Sequence, residues 1–419
     1  MAKRPAGTLG DVRGGVRLVI DGVPGVTGIV EAMHRRLAGV APPWRRLPEG
    51  NAGGIPGLVY RGIHGTTRLV GQGLDAALAG LQALPADKLP GPHGALDKPS
   101  RDALVAALNG VLGDHLERTG NPLAVRMQLL RRDDRRGAAE PPPSGPHVLL
   151  LIHGLCMNDR QWTRGGHDHG QALAQALGFT PVYARYNSGL HISTNGRELA
   201  LQLEQLLRDW PVPVQTLTVI GHSMGGLVAR SAVHQAAQAG MAWPKRLRHL
   251  MFLGTPHHGA PLERGGNWLH QGLGISSYAA PFTRLSGLRS AGITDLRHGN
   301  LLDEDWAEGR FASRDTRAVL PLPAGVACYA VAGTLGPAPD ADPHEPLRFT
   351  SRAMAARLLG SDWLGDGLVP LASALGRDAK PTRDLRIPAS RTWIGRGIHH
   401  LDLLASKQVY QQLRRWLAN

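Results

Sequence analysis

Apolar runs typical of buried strands alternate with amphipathic stripes typical of helices from about residue 123 to the end of the chain. Strands are predicted at residues 147–152, 181–183, 216–220, 250–253, 326–331 and 391–394. Helices are predicted at residues 170–177, 197–210, 227–239 and 408–417. Alternation of this kind favours an α/β fold, with a mostly parallel sheet covered by helices on both faces.

The first 120 residues follow a different pattern. Apolar stripes at helical spacing run over residues 16–30, 63–81 and 104–116, with Ser100 as a candidate N-cap of the last one. We therefore predict a helical N-terminal region over residues 1–120 and a second domain over 121–419, beginning with a strand near Leu123. We expect the stripes to pack inside the protein, and docking on a membrane or lipid particle is the alternative.

One short segment carries the strongest chemical signal. Gly221, Ser223 and Gly225 match G-x-S-x-G between a β-branched run and a helical pattern. This arrangement is a nucleophile elbow, a tight turn that exposes the serine hydroxyl. The backbone N–H of Met224 then points at the same space and is a candidate oxyanion donor.

The partners of such a serine follow in the expected order. Upstream, a predicted strand ends in His153-Gly154-Leu155, where the N–H of Leu155 is the second candidate oxyanion donor. Downstream, Asp366 and the adjacent pair His399-His400 supply an acid and a base in loop-like contexts. The residue types alone do not choose between the two histidines.

These motifs, with the stretch from Leu253 to Gly259, resemble those of bacterial lipases and esterases of the α/β-hydrolase fold, nearest to the GPI inositol-deacylase-like branch. The resemblance covers about residues 123–419. It implies that His400, which precedes Leu-Asp, is the catalytic histidine, and that Asp366 is the acid. Asp362 is the rival acid.

The resemblance implies a serine carboxylic-ester hydrolase that acts on apolar acyl esters through an acyl-Ser223 intermediate. An acyltransferase or thioesterase with the same triad is the alternative within enzymes. A non-catalytic lipid-surface protein is the alternative outside them. The aromatic-containing stretch over residues 259–317 is either a lid-like insertion or ordinary helical packing.

No cofactor or metal ion is required by this chemistry. His257-His258 and the pair His167 and His169 look like metal ligands, but neither set has further ligands at a recognisable spacing. Asp402 matches a position near which related lipases bind calcium. No oxygen-rich loop accompanies it.

Composition narrows the remaining classes. The net charge of +14 comes mostly from scattered arginines, because the 419 residues include only six lysines, and no nucleic-acid-binding module is present. Cys156 and Cys328 do not make a disulfide framework. No signal-peptide core or membrane-length apolar run occurs, so a cytoplasmic protein is expected. The expected partner is a small-molecule or lipid ester, and the oligomeric state is left open.

Overall fold

A computed structural model describes residues 98–131, 144–260, 290–307, 317, 319–335 and 365–418. The chain divides into two compact units, one of Met1–Asp97 with Leu116–Ala124 and the other of Lys98–His115 with Val125–Asn419. In the first unit only residues 116–124 are described, and a turn there places Asn121 N 2.8 Å from Leu116 O. The stripes over residues 16–30 and 63–81 lie outside the described residues.

The second unit is built on one sheet of seven described strands. Its strands are β1 (Gln128–Leu130), β2 (His147–Ile152), β3 (Thr180–Arg185), β4 (Thr216–His222), β5 (Leu247–Leu253), β6 (Ala327–Thr334) and β7 (Thr392–Arg396). Their order across the sheet is β1-β3-β2-β4-β5-β6-β7. All neighbours are parallel except β1, which pairs antiparallel with β3.

Helices connect these strands as the alternating pattern predicts. The described helices are α1 (Lys98–Arg118), α2 (His169–Leu177), α3 (Ile192–Arg208), α4 (Met224–Gln238), α5 (Ala291–His298), α6 (Glu304–Ala307), α7 (Leu371–Ala374) and α8 (Lys407–Leu417). Short 3-10 turns lie at Asp159–Trp162, Trp243–Arg246, Ala389–Arg391 and His400–Leu404. The expected α/β-hydrolase architecture is confirmed.

Both faces of the sheet are covered. On one face, Leu149 and Leu151 of β2 join a core with Leu173 of α2 and Leu413 of α8. Side chains alternate across a strand, and Val148 and Leu150, which point to the other face, are also fully buried. Continuous burial of this kind explains why β2 is an uninterrupted apolar run.

Within the second unit, the part of α1 up to His115 makes close backbone contacts. An added Cβ at Gly110 would lie 2.2 Å from Cys156 Sγ, and one at Gly113 would lie 1.9 Å from Asn187 Oδ1. Asn187 also donates to the carbonyl of Gly113 at 3.0 Å. The helix therefore packs on the segments that follow β2 and β3, through positions where only glycine fits.

Two predictions placed the start of an element at the wrong residue. The predicted strand near Leu123 forms only at Gln128–Leu130, where the chain pairs with β3. Helix α1 begins at Lys98, before the predicted N-cap at Ser100. Within the described residues, none of the helices is long and apolar enough to cross a membrane.

We expect Gly110→Ala to lower the melting temperature. Helix propensity alone would make this change stabilising by about 1 kcal/mol. The added Cβ would instead lie 2.8 Å from the Cα of Cys156, which is backbone and cannot swing aside. Overpacking of this kind costs roughly 1–3 kcal/mol.

Thermal unfolding followed by circular dichroism measures the effect. Gly145→Ala is the control, since its Cβ would lie no closer than 3.3 Å to the side chain of Thr180. A Gly110→Ala protein as stable as the wild type would show that α1 does not pack as described.

Candidate active site

Ser223 lies in the tight turn between β4 and α4. Its φ of 53° is in the left-handed region that most residues avoid. The turn is held by a hydrogen bond from Ser223 N to Leu253 O at 2.8 Å. An added Cβ at Gly225 would lie 2.2 Å from Ile152 O, so the strand-to-helix turn fits only with glycine at that position.

Asp366 and His400 form a buried hydrogen-bonded pair. The His400 Nδ1 lies 2.6 Å from Asp366 Oδ2, and the two residues are 5% and 2% exposed. The other carboxylate oxygen, Asp366 Oδ1, accepts from the N–H groups of Leu368 and Val369 at 3.1 and 2.9 Å. A third bond, from His400 N to Asp366 O at 3.1 Å, ties the two loops together. These bonds hold the carboxylate of Asp366 in place, so that it can orient the imidazole of His400.

The acid–histidine pair lies against the elbow. His222, the residue before Ser223, has its Nε2 3.1 Å from the carbonyl oxygen of His400, and the two rings are 4.7 Å apart. An added Cβ at Gly254, just after β5, would lie 3.0 Å from both Asp366 Oδ2 and His400 Nδ1. The ends of parallel strands therefore bring these residues to one edge of the sheet.

His222 is a neutral histidine in this structure. Burial, with a smaller effect from His400, holds its pKa well below the ordinary range. A neutral ring that meets a carbonyl at Nε2 must carry its hydrogen there, which leaves Nδ1 as an acceptor. That Nδ1 has no hydrogen-bond partner among the described residues. His222 thus links the turn of Ser223 to the loop of His400 by one donated hydrogen bond.

The loop after β2 lies next to the serine. An added Cβ at Gly154 would lie 3.0 Å from the Cβ of Ser223. The buried ring of His153 has Nδ1 2.8 Å from Gly154 O, and its Nε2 accepts from Tyr186 N at 3.4 Å. The C=O of Gly154 and the N–H of Leu155 belong to one trans peptide and point in opposite directions. By fixing the carbonyl, His153 also fixes the direction of the Leu155 N–H.

Contacts on the far side hold the same loop. Cys156 N donates to Ser188 Oγ at 3.0 Å, and the hydroxyl of Tyr186 donates to His153 O at 2.7 Å. Met224 is the first residue of α4, so its N–H has no carbonyl partner within the helix. The two N–H groups named from the sequence therefore lie on segments that meet at Ser223.

The structure thus places Ser223, Asp366 and His400 at one site, together with the segments of Leu155 and Met224. His399 is exposed, whereas His400 is buried. The rival acid Asp362 lies outside the described residues. Sequence reasoning did not assign a role to His222, His153 or Tyr186, and the only signal for His222 was its place inside the elbow motif.

No group of three or more His, Cys, Asp or Glu side chains is placed to hold a metal ion, within the ranges that the structure describes. His167 and His169 contact each other at 2.8 Å, and His169 reaches the carbonyl of Leu403 at 2.9 Å. These histidines therefore connect α2 to the turn that contains His400.

A family model for the PGAP1-like alpha/beta domain matches residues 143–320. The matched residues are fewer than half of the chain, and the match agrees with the resemblance that the sequence motifs indicate. No curated protein matches the chain.

Solved structures similar to the chain include three bacterial enzymes. The lipase BlEst2 of Bacillus licheniformis, in mature form, is 16% identical with a TM-score of 0.42, over 69% of this chain and 98% of that one. The Staphylococcus hyicus lipase is 14% identical with a TM-score of 0.36, over 67% and 96%. Phospholipase PlaB from Legionella pneumophila is 18% identical with a TM-score of 0.34, over 54% and 45%.

Acid should destabilise the protein through its buried histidines. Burial lowers the pKa of His153 and of His169 to about 4, whereas histidine in an unfolded chain titrates near 6.5. Between about pH 6.5 and about pH 4 the unfolded state binds more protons, so the free energy of unfolding falls as the pH drops through this window. Urea unfolding across that range measures the slope.

His169→Gln is the informative variant. Its amide can still donate to the carbonyl of Leu403, but it does not titrate. The dependence of stability on pH should therefore be shallower than in the wild type. An identical slope in both proteins would contradict the assignment of His169 as a buried neutral group.

Proposed function

We propose that the protein is a serine carboxylic-ester hydrolase that acts on apolar acyl esters, of small molecules or of lipids. The observation that carries this proposal is the buried Asp366–His400 hydrogen bond of 2.6 Å, held against the strained turn of Ser223. A buried carboxylate, an imidazole and a serine hydroxyl in this order are the parts of a nucleophilic acyl-transfer site.

The first step uses Ser223 as the nucleophile. Asp366 accepts a hydrogen bond from His400 Nδ1, so the neutral imidazole has its lone pair on Nε2. His400 takes the hydroxyl proton at Nε2 as Ser223 Oγ attacks the ester carbonyl. Asp366 stabilises the imidazolium that forms, since its negative charge lies next to the new positive charge.

The negative charge of the tetrahedral intermediate falls on the former carbonyl oxygen. The N–H groups of Leu155 and Met224 are the proposed donors to this oxygen. Both are backbone groups in buried segments, so they are oriented before the reaction begins. The fixed peptide of Gly154 supports this role for Leu155, because it keeps the N–H from turning away.

The alcohol leaves first, and the acid is released afterwards. His400 gives its proton to the leaving alcohol, which departs and leaves an acyl-Ser223 ester. Water then attacks the acyl carbonyl while His400 takes a proton from it. His400 returns that proton to Ser223 Oγ as the acyl–Oγ bond breaks and the carboxylic acid leaves. All bonds and protons are accounted for by the triad and water, so the proposed reaction needs no other reactant.

We expect Ser223→Ala to abolish ester turnover without unfolding the protein. The hydroxyl forms the acyl bond, and members of a triad act as a unit, so the loss should be roughly a thousandfold or more. Hydrolysis of p-nitrophenyl esters of graded chain length measures it and reports the preferred acyl group. A fluorophosphonate probe should label the wild type at Ser223. Labelling of another serine, with Ser223→Ala still active, would contradict the proposal.

The adjacent histidines give a matched pair of variants. His400→Gln should lose activity about as fully as Ser223→Ala, because glutamine cannot accept the serine proton. His399→Gln removes an exposed ring from the neighbouring position and should retain most of the activity. Steady-state kinetics on one soluble ester compare the two. If His399→Gln is the inactive variant, the buried pair described here is not the acid–base pair.

A further inference from the structure

A cavity lies beside α4, the helix that follows Ser223. It has a volume of about 420 Å³ and is lined by Arg230 of α4, by His257 and His258 after β5, and by residues of the segments 319–322 and 381–386. Volumes of this order are typical of small-molecule sites. Arg230 is seven residues from Ser223, which corresponds to about 10 Å along a helix. None of the proposed catalytic residues lines this cavity.

Arg230 is a buried cation with an unsatisfied donor. The residue is 5% exposed, and burial lowers its pKa to about 10, so it stays protonated at neutral pH. One terminal nitrogen donates to the carbonyl of Leu320 and the other lies 3.3 Å from His257 Nδ1. Among the described residues, its Nε has no hydrogen-bond partner and no carboxylate forms an ion pair with it, although Asp305 is near enough to raise its pKa.

His257 offers a second unsatisfied donor. Burial, and next the charge of Arg230, hold its pKa well below the ordinary range, so the ring is neutral. Because its Nδ1 accepts from the guanidinium of Arg230, the hydrogen of the neutral ring is on Nε2. That Nε2 is buried without a partner among the described residues. Unmade buried hydrogen bonds are costly, so a bound acceptor here would be stabilising.

The rest of the lining is also positive. Four arginines and one aspartate belong to the lining residues, namely Arg230, Arg317, Arg383, Arg386 and Asp384. His258 also lines the cavity, and its Nδ1 lies 3.6 Å from a carboxylate oxygen of Asp378. The lining thus combines more basic than acidic side chains with donors of Arg230 and His257 that have no partner among the described residues.

We propose that this cavity binds a phosphate monoester, with Arg230 and His257 donating from its buried end and Arg383 and Arg386 contacting the phosphate from its rim. A phosphate monoester has only acceptor oxygens and carries up to two negative charges, which fits this set of donors better than a neutral ligand or a single carboxylate. The phosphate group could belong to a soluble molecule or to a lipid headgroup, since the cavity chemistry is the same.

The test measures binding to the full-length protein by titration calorimetry at constant ionic strength. Inorganic phosphate and glycerol 3-phosphate are the soluble probes, and acetate is the carboxylate probe. Sedimentation with phosphatidylcholine vesicles, with and without phosphatidic acid, tests the lipid source. We expect one phosphate per chain, and binding weaker by roughly tenfold or more in Arg230→Gln and in Arg383→Gln. Arg246→Gln, an exposed arginine outside the cavity, is the control with the same loss of charge.

Circular dichroism verifies that Arg230→Gln is folded, and Arg383→Gln probes the same site from a half-buried position. Binding of both soluble probes supports the soluble source, and binding that requires phosphatidic acid vesicles supports the lipid source. Equal binding of acetate would overturn the choice of phosphate. The site itself would be refuted by absence of binding to every phosphate probe, by unchanged binding in both cavity variants, or by an equal loss in Arg246→Gln.

Discussion

The site depends on backbone segments that approach one another too closely for any side chain to lie between them. At Gly221, Gly225 and Gly226 an added Cβ would lie 2.5, 2.2 and 2.1 Å from its nearest neighbour. Ser223 adopts a strained backbone in the middle of this contact. The strain is offset by the hydrogen bond to Leu253 and by the burial of β4 between two strands. Because β2, β4 and β5 are parallel, the same contact brings the segments after all three strands to Ser223.

Local signals made the sheet and the elbow predictable from sequence. A β-branched run, small residues at fixed offsets and a helical stripe are all read within a few residues of Ser223. The position of α1 was not predictable in the same way. Its apolar stripe indicates that one face of the helix is buried. It does not indicate which part of the protein covers that face. Gly110 and Gly113, which decide the partner, look like weak points of a helix until the close contacts with Cys156 and Asn187 are seen.

The two adjacent histidines are a second case in which the local sequence is not enough and the three-dimensional contacts decide. The expected order of serine, acid and histidine along the chain needs a histidine after Asp366. Both His399 and His400 lie there. Only the three-dimensional turn separates them, because it buries His400 against Asp366 and exposes His399. The resemblance to lipases pointed to His400 through the residues that follow it. A hydrogen bond from Leu335 N to Gly365 O at 2.8 Å holds the residue before Asp366 next to the end of β6.

Burial has opposite results for the two kinds of basic side chain near α4. Histidine titrates close to neutral pH, so desolvation is enough to leave His222 uncharged beside His400. A charged His222 would oppose the imidazolium that the proposed mechanism forms at His400. Arginine titrates so high that the same desolvation still leaves Arg230 protonated, with a pKa of about 10. The segment from the end of β4 into α4 therefore has a neutral ring at His222, just before the helix, and a retained positive charge at Arg230, about two turns into it.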